Sequence, residues 1–237
     1  DHPSSRRCSL KRRGFVAAGL SALVPVGDAG AVRVIRGSRN DDEATVPDAG
    51  DVQGRSSRLV RPGRQGRGSD RERSRRLSDL LGNAPDRGLD LRHVHTGERL
   101  DSFYWRDGQA VPEGQAAFRG FLRDWRRNEP APTMPSLLDV LWAVQSQLTG
   151  ASGIPPLHIL SAYRTRQTND ALMRAGVTGV ARDSYHLRGM AADFHCPTRS
   201  FDAVLQACLT VAPGGIGVYR AAGFIHVDVG PSRRWDG

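Results

Sequence analysis

Cysteine is scarce in this chain: Cys8, Cys196 and Cys208 are the three in 237 residues. That is too few for a disulfide-built fold, and no Cys-x-x-Cys pair occurs. Cys196 and Cys208 can pair in an oxidising compartment or remain two buried thiols. Lysine is rarer still, Lys11 being the only one, so the net charge of +9 is carried by arginine. Long hydrophobic runs are missing as well. The one apolar run, Val16 to Val26, is too short to span a bilayer comfortably. Aromatic residues are absent from Val32 to Pro85, and no segment repeats. The positive balance, with a pI near 10.6, suits polyanionic surroundings: nucleic acid, anionic lipid or an acidic wall polymer. Its arginines are spread through a polar stretch and form no groove interleaved with aromatics, so no nucleic-acid partner is expected.

What is present begins with a leader-like segment. Lys11-Arg12-Arg13 precedes the apolar run, and Ala29-Gly30-Ala31 fits a small-x-small cleavage site. Asp28 fits the cleavage region less well. Twin arginines followed by x-Phe-Val resemble the bacterial twin-arginine export signal. The plainer alternative is a basic patch before a stray apolar stretch. Residues 1–31 are therefore expected to be an export signal read by the twin-arginine machinery. The protein would then work in the periplasm or outside the cell, with no stable membrane anchor after cleavage. That route carries proteins that are already folded.

Residues 32–85 are rich in Arg, Asp, Gly and Ser, and no apolar period persists there. Such a segment cannot offset its ordering entropy and is expected to be a disordered linker, with at most a helical turn over 78–81. From 86 to 237 the pattern is that of one domain. Leu89–Val94 and Leu100–Trp105 predict a hairpin around His95-Thr96-Gly97-Glu98. Pro112–Arg127 and Ser136–Leu148 carry helical apolar stripes. Leu157–Tyr163 predicts a strand, Arg166–Arg174 a helix ended by Gly176, Met190–Cys196 a strand and Phe201–Val211 a helix. Gly217–Arg220 and Phe224–Val229 predict two last strands. The expected class is α+β, a small, mostly antiparallel sheet with flanking helices.

Two segments carry the chemistry. In Ser184-Tyr185-His186-Leu187-Arg188-Gly189-Met190-Ala191-Ala192-Asp193, a His in a polar loop and an Asp on the following strand lie seven residues apart around a glycine. In Phe224-Ile225-His226-Val227-Asp228, a His sits on an apolar strand. Two imidazoles and a carboxylate form a common protein ligand set for catalytic zinc, with the fourth position left to water. A lone strand histidine is usually a core residue; beside the first segment His226 reads as a ligand. Strand alternation puts Asp228 on the face of His226, where it can take a proton from water or orient the ligand ring. Ser161-Ala162-Tyr163-Arg164-Thr165 joins a strand to a helix, and Arg164 there can hold a substrate carboxylate or an oxyanion.

Together, Ser-x-His-x-x-Gly-x-Ala-x-Asp, the Ser-x-Tyr-Arg segment and Phe-Ile-His-x-Asp-x-Gly resemble the YcbK-type murein endopeptidases. That family is similar to the zinc D-alanyl-D-alanine carboxypeptidases and the wider lysostaphin/hedgehog-type group. The likeness runs in order from about Leu89 to Trp235 and includes Gly214–Tyr219 and Arg233-Arg234-Trp235. It implies a zinc site on the sheet formed by His186, Asp193 and His226. It also implies a substrate site with Arg164, flanked by Tyr163 and Ser184, and hydrolysis of a peptide bond in peptidoglycan. The carboxypeptidase relatives carry a Glu three positions before the last His. Gly223 stands there in this chain, which leaves Asp228 as the local substitute for the base. A non-catalytic peptidoglycan-binding module of the same fold is the competing reading. His195, His158 and the His93-x-His95 pair are read as incidental or structural.

Overall fold

A computed structural model describes residues 33–36, 58–60, 66–211 and 214–237, with side chains from Arg71 onward. The expected leader over 1–31 lies outside these residues. In chain order the elements are strands β1 (Arg33–Arg36) and β2 (Arg58–Val60), helix α1 (Gly66–Gly82), and strands β3 (Arg87–His93), β4 (Glu98–Arg106) and β5 (Gln109–Ala110). Helices α2 (Pro112–Phe121) and α3 (Pro135–Gln147) follow, then β6 (Leu157–Ser161), α4 (Arg166–Arg174) and a short 3-10 turn over Tyr185–Arg188. The chain closes with β7 (Ala191–His195), α5 (Phe201–Val211), β8 (Gly215–Tyr219), β9 (Phe224–Asp228) and β10 (Arg233–Asp236).

The strands make one ten-stranded sheet in the order β1-β4-β3-β6-β7-β9-β8-β10-β2, with β5 paired to β4. It is mixed: β3–β6 and β8–β10 are parallel and the other pairs antiparallel. The expected class, α+β with flanking helices, is what is seen, but the sheet is large rather than small. Two long-range pairings account for this. β3 joins β6, which fuses the hairpin to the site strands, and β10 adds alongside β8.

The core lies between the sheet and helices α2, α3 and α5. Pro135 opens α3 in its first turn, and Leu137, Leu138, Leu141 and Val144 make its buried stripe. Each such side chain contributes roughly 1.5–3 kcal/mol by burial. Helix α2 stops at Phe121, short of the expected Arg127. The reason is Asp124, which is 1% exposed. Its carboxylate accepts from the Thr165 N–H (2.9 Å), the Thr165 hydroxyl (2.8 Å) and the Arg126 N–H (3.1 Å). Those bonds need a turn at 124–127, not another helical turn.

The stretch expected to be a linker also differs. Its composition is polar, yet α1 runs seventeen residues, with Leu77 and Leu80 packed against the core. Arg75–Asp79 and Arg76–Glu72 are i, i+4 ion pairs along its exposed side. Tertiary packing of two leucines supplies what the local sequence lacks. Cys196 and Cys208 are both buried and free, so they do not pair. Among the described residues, no helix is long and apolar enough to cross a membrane.

Candidate metal centre

The centre is built on one line drawn across the sheet. Ser161 on β6 pairs with Asp193 on β7, Asp193 with His226 on β9, His226 with Gly217 on β8, and Gly217 with Trp235 on β10. Directly opposed residues on adjacent strands place their side chains about 5 Å apart on one face. A seven-residue loop-to-strand spacing and a separate strand thus converge. Gly217 is needed at its place because a Cβ there would lie 2.6 Å from the Trp235 ring. Without it the indole reaches across to His226, with ring centroids 5.2 Å apart.

His186 arrives from the 3-10 turn. The Ser184 hydroxyl caps that turn by accepting from the His186 N–H at 3.3 Å. Gly189 ends it with φ +64°, the left-handed conformation that a glycine takes without strain. The turn is stitched to the end of β6, since the Arg164 N–H donates to the His186 carbonyl at 3.1 Å.

Each ring is held by its far nitrogen. His186 Nδ1 lies 2.5 Å from the Ala162 carbonyl and can only donate to it, which leaves Nε2 as a bare lone pair. His226 Nε2 lies 3.1 Å from Asp228 Oδ2, which leaves Nδ1 bare. The two bare nitrogens are 3.2 Å apart. Asp193 closes the group, with Oδ2 3.2 Å from His186 Nε2 and Oδ1 2.7 Å from His226 Nδ1. One donor atom from each residue lies within 4.8 Å of the others, and all three residues are buried. Tetrahedral donors at zinc–nitrogen lengths of about 2.0–2.1 Å are about 3.3 Å apart, so the set fits such an ion. The outer hydrogen bonds fix the ligating tautomers, as metal-bound histidines require.

The electrostatics follow from burial and charge. Burial, aided by the Arg164 guanidinium, pushes His186 down to about 4, so its ring is neutral. For His226, burial alone would lower the pKa, but the hydrogen bonds to Asp193 and Asp228 outweigh it and the value rises. Burial would raise Asp193; the two imidazoles outweigh it and hold the carboxyl well below its usual range.

Arg164 is buried, donating from Nη2 to Asp193 Oδ2 at 2.8 Å and from Nε to the Ser161 hydroxyl at 3.0 Å. It both anchors Asp193 and lines a cavity of about 950 Å³ that opens onto the three residues. Arg126, Arg220, Arg233 and Ser184 line it too. Tyr163 does not; it packs against the core, with its N–H bound to the Leu122 carbonyl.

Asp228 does share the face of His226, but it is 0% exposed and is not part of the cavity wall. Its oxygens accept from the Gly215 and Gly230 N–H groups at 3.1 and 2.8 Å. They also accept from Arg233 at 3.1 and 2.7 Å and meet His226 Nε2. Burial would raise its pKa; these partners, His226 first, hold it at about 2. It faces the ring nitrogen that points away from the cluster, which suits orientation rather than proton uptake. His195 is not in the cluster; its ring sits edge-on to His158, 5.1 Å away.

Three residues of the centre went without a role in the sequence. Arg233 clamps Asp228, Trp235 covers His226 and Tyr219 lines the cavity. Alternation along Gly215–Tyr219 puts Tyr219 on the face of the glycines, but only the sheet register shows what that face meets.

The chain is also similar to known proteins. A family described as peptidoglycan L,D-endopeptidase MepK matches residues 82–235. Peptidoglycan L,D-endopeptidase MepK of Escherichia coli is 36% identical over 147 residues, 62% of this chain and 79% of the relative. The probable peptidoglycan L,D-endopeptidase MepK of Haemophilus influenzae is 32% identical over 158 residues, 67% of this chain and 83% of the relative.

Proposed function

This chain belongs to the peptidoglycan L,D-endopeptidase MepK family, and from that premise we propose that it is a zinc peptidase hydrolysing cross-link or stem peptide bonds of peptidoglycan during cell-wall remodelling. The observation that carries the reading is the triad of His186 Nε2, Asp193 and His226 Nδ1, each ring fixed by its outer nitrogen, on the wall of a cavity lined by arginines.

His186, Asp193 and His226 would hold the zinc. When bound, zinc supplies Lewis acidity that polarises a carbonyl and makes water nucleophilic near neutral pH. Asp228 orients His226 through Nε2, which turns Nδ1 toward the cluster. Arg164 holds Asp193 by a hydrogen bond and presents its remaining N–H groups to the substrate. Ser184 shapes the His186 turn at the cavity edge. Arg126, Arg220 and Arg233 make the wall cationic, which favours a stem peptide with free carboxylates. The relatives' name puts the L,D bond first among the bonds to try. Such a substrate places the enzyme's work outside the cytoplasm, and the twin arginines at Arg12-Arg13 offer the route there.

Mass spectrometry of muropeptides tests this, after incubation of zinc-loaded protein with purified peptidoglycan. The expected result is new fragments, absent with His186→Ala, whose masses name the bond. A zinc-loaded protein that binds peptidoglycan and releases nothing would instead make it a binding module. Gly223 favours that second reading, because it leaves a turn with no side chain where the carboxypeptidase relatives carry Glu.

A further inference from the structure

Tyr219 stands on the same face of β8 as Gly217, two residues along, and pairs across to Phe224 on β9. It is therefore one step along the strand from the line through Asp193 and His226. It lines the same cavity as His186, Asp193, His226 and Arg164, and is 9% exposed. Its ring is stacked on Phe224, with centroids 4.5 Å apart and planes 12° apart. On another side, a Cβ at Gly179 would lie 2.6 Å from its hydroxyl, so the loop before His186 closes tightly over it. The ring has one place to be.

The hydroxyl has a fixed direction of donation too. Trp235 Nε1 approaches it at 3.0 Å. An indole N–H only donates, so the Tyr219 oxygen must be the acceptor in that bond. The phenolic proton is left over, and among the described residues no acceptor takes it. A buried phenol with its lone pair engaged and its proton unclaimed, on the wall of a reaction cavity, is a hydrogen-bond donor waiting for a ligand oxygen.

We propose that Tyr219 is a catalytic residue whose O–H donates a hydrogen bond to the scissile carbonyl oxygen as that oxygen gains negative charge. The inference rests on the peptidase reading above. Water adds to the carbonyl carbon, the carbon–nitrogen bond breaks and the amine leaves with a proton. Through all of this the Tyr219 proton stays on Tyr219. Burial, the largest influence on this phenol, raises its pKa and keeps it protonated. Trp235 is a positioning residue, acting through Tyr219. A donor aimed at developing charge acts on the transition state more than on the bound substrate.

The test is Tyr219→Phe in the full zinc-loaded chain, which keeps the stacked ring and removes only the oxygen. The substrate is a purified L,D-cross-linked muropeptide dimer, and the binding probe a phosphinate isostere of the scissile peptide. The expected result is a kcat lower by about 100-fold with KM within a few-fold, and unchanged zinc content. Affinity for the phosphinate should fall with kcat, while affinity for an uncleavable amide analogue stays. Trp235→Phe should give a smaller loss of the same kind. A Tyr219→Phe enzyme within threefold of wild type in kcat overturns the assignment, as does an equal loss for phosphinate and amide analogue. Loss of zinc or of the fold in that variant makes Tyr219 structural and overturns it as well. If the wild-type chain itself cuts nothing, the peptidase reading fails and takes this inference with it; an active wild type beside an equally active variant sinks Tyr219 alone.

Discussion

His186 and His226 on one side, and His93 and His95 on the other, are two histidine pairs of similar spacing, with ring centroids 5.0 and 6.0 Å apart. His93 is buried like the first pair, at 1% exposure. In sequence, His93-x-His95 has the close spacing of a metal pair but sits at a hairpin turn, while His186 and His226 lie forty residues apart in segments that read as a ligand set. The surroundings keep that order. Around His186 and His226 there is a carboxylate between the rings, and an acceptor on each far nitrogen. Around His93 there are the edges of Phe121 and Trp125, and its Nδ1 has no partner. The nearby carboxylate, Glu98, is committed to Arg123 and Thr96. What makes a metal centre is the outer set of hydrogen bonds that fixes the tautomers, together with a buried anion.

The strongest test of that contrast removes one ring from each pair. His226→Ala should lose zinc to background and cleavage below detection, while His93→Phe keeps about one zinc per chain. Elemental analysis of the purified proteins reads both. Stoichiometric zinc in His226→Ala would end the ligand assignment.

Next in size is the outer carboxylate. Asp228→Asn should weaken zinc by about 10- to 100-fold, measured by chelator competition, because an amide holds the His226 tautomer less firmly. Were Asp228 the base instead, affinity would be unchanged and turnover alone would collapse.

How far the sequence spoke follows the range of each interaction. Helices α4 and α5 lie where capping and apolar period put them, at Arg166–Arg174 and Phe201–Val211. The three candidate ligands, which the structure brings together, were legible because their residue types, spacing and neighbours make a motif. The line from Ser161 to Trp235 was not, since it depends on the register of five strands that span residues 157–236. Tyr219 and Arg233 belong to that line's surroundings and were silent for the same reason. Helix α1 was hidden because its stability comes from α3 and α5, not from its own polar residues.

A pH series separates the two pairs by stability. His93 is pushed down to about 3, first by burial and then by the neighbouring His95 and Arg123 side chains. In the unfolded chain it titrates near 6.5. Between those values the unfolded chain binds a proton that the folded chain refuses, so stability falls as pH drops below about 6.5 and the loss is complete near 3. From pH 7 to pH 5 this amounts to about 2 kcal/mol. Urea midpoints of metal-free wild type and His93→Phe at both pH values should show the wild type losing more by about that amount. Equal losses would place His93 in contact with water.

The smallest effect should come from His95, and it joins the two regions. Its ring stacks on Trp125 at 4.4 Å and 20°. The Arg126 guanidinium lies over the same indole at 4.3 Å, and Arg126 reaches the cavity wall. The hairpin therefore props one cationic side chain of the cavity wall, apart from the candidate metal ligands. His95→Ala should cost about 0.5–1.5 kcal/mol of stability through the lost stack. Because a loosened Arg126 affects how the peptide is held and not how the carbonyl is attacked, KM should rise by less than about tenfold with kcat unchanged. Full zinc content with this KM effect would keep the hairpin pair as scaffold; loss of zinc would mean that the two histidine pairs are not separate.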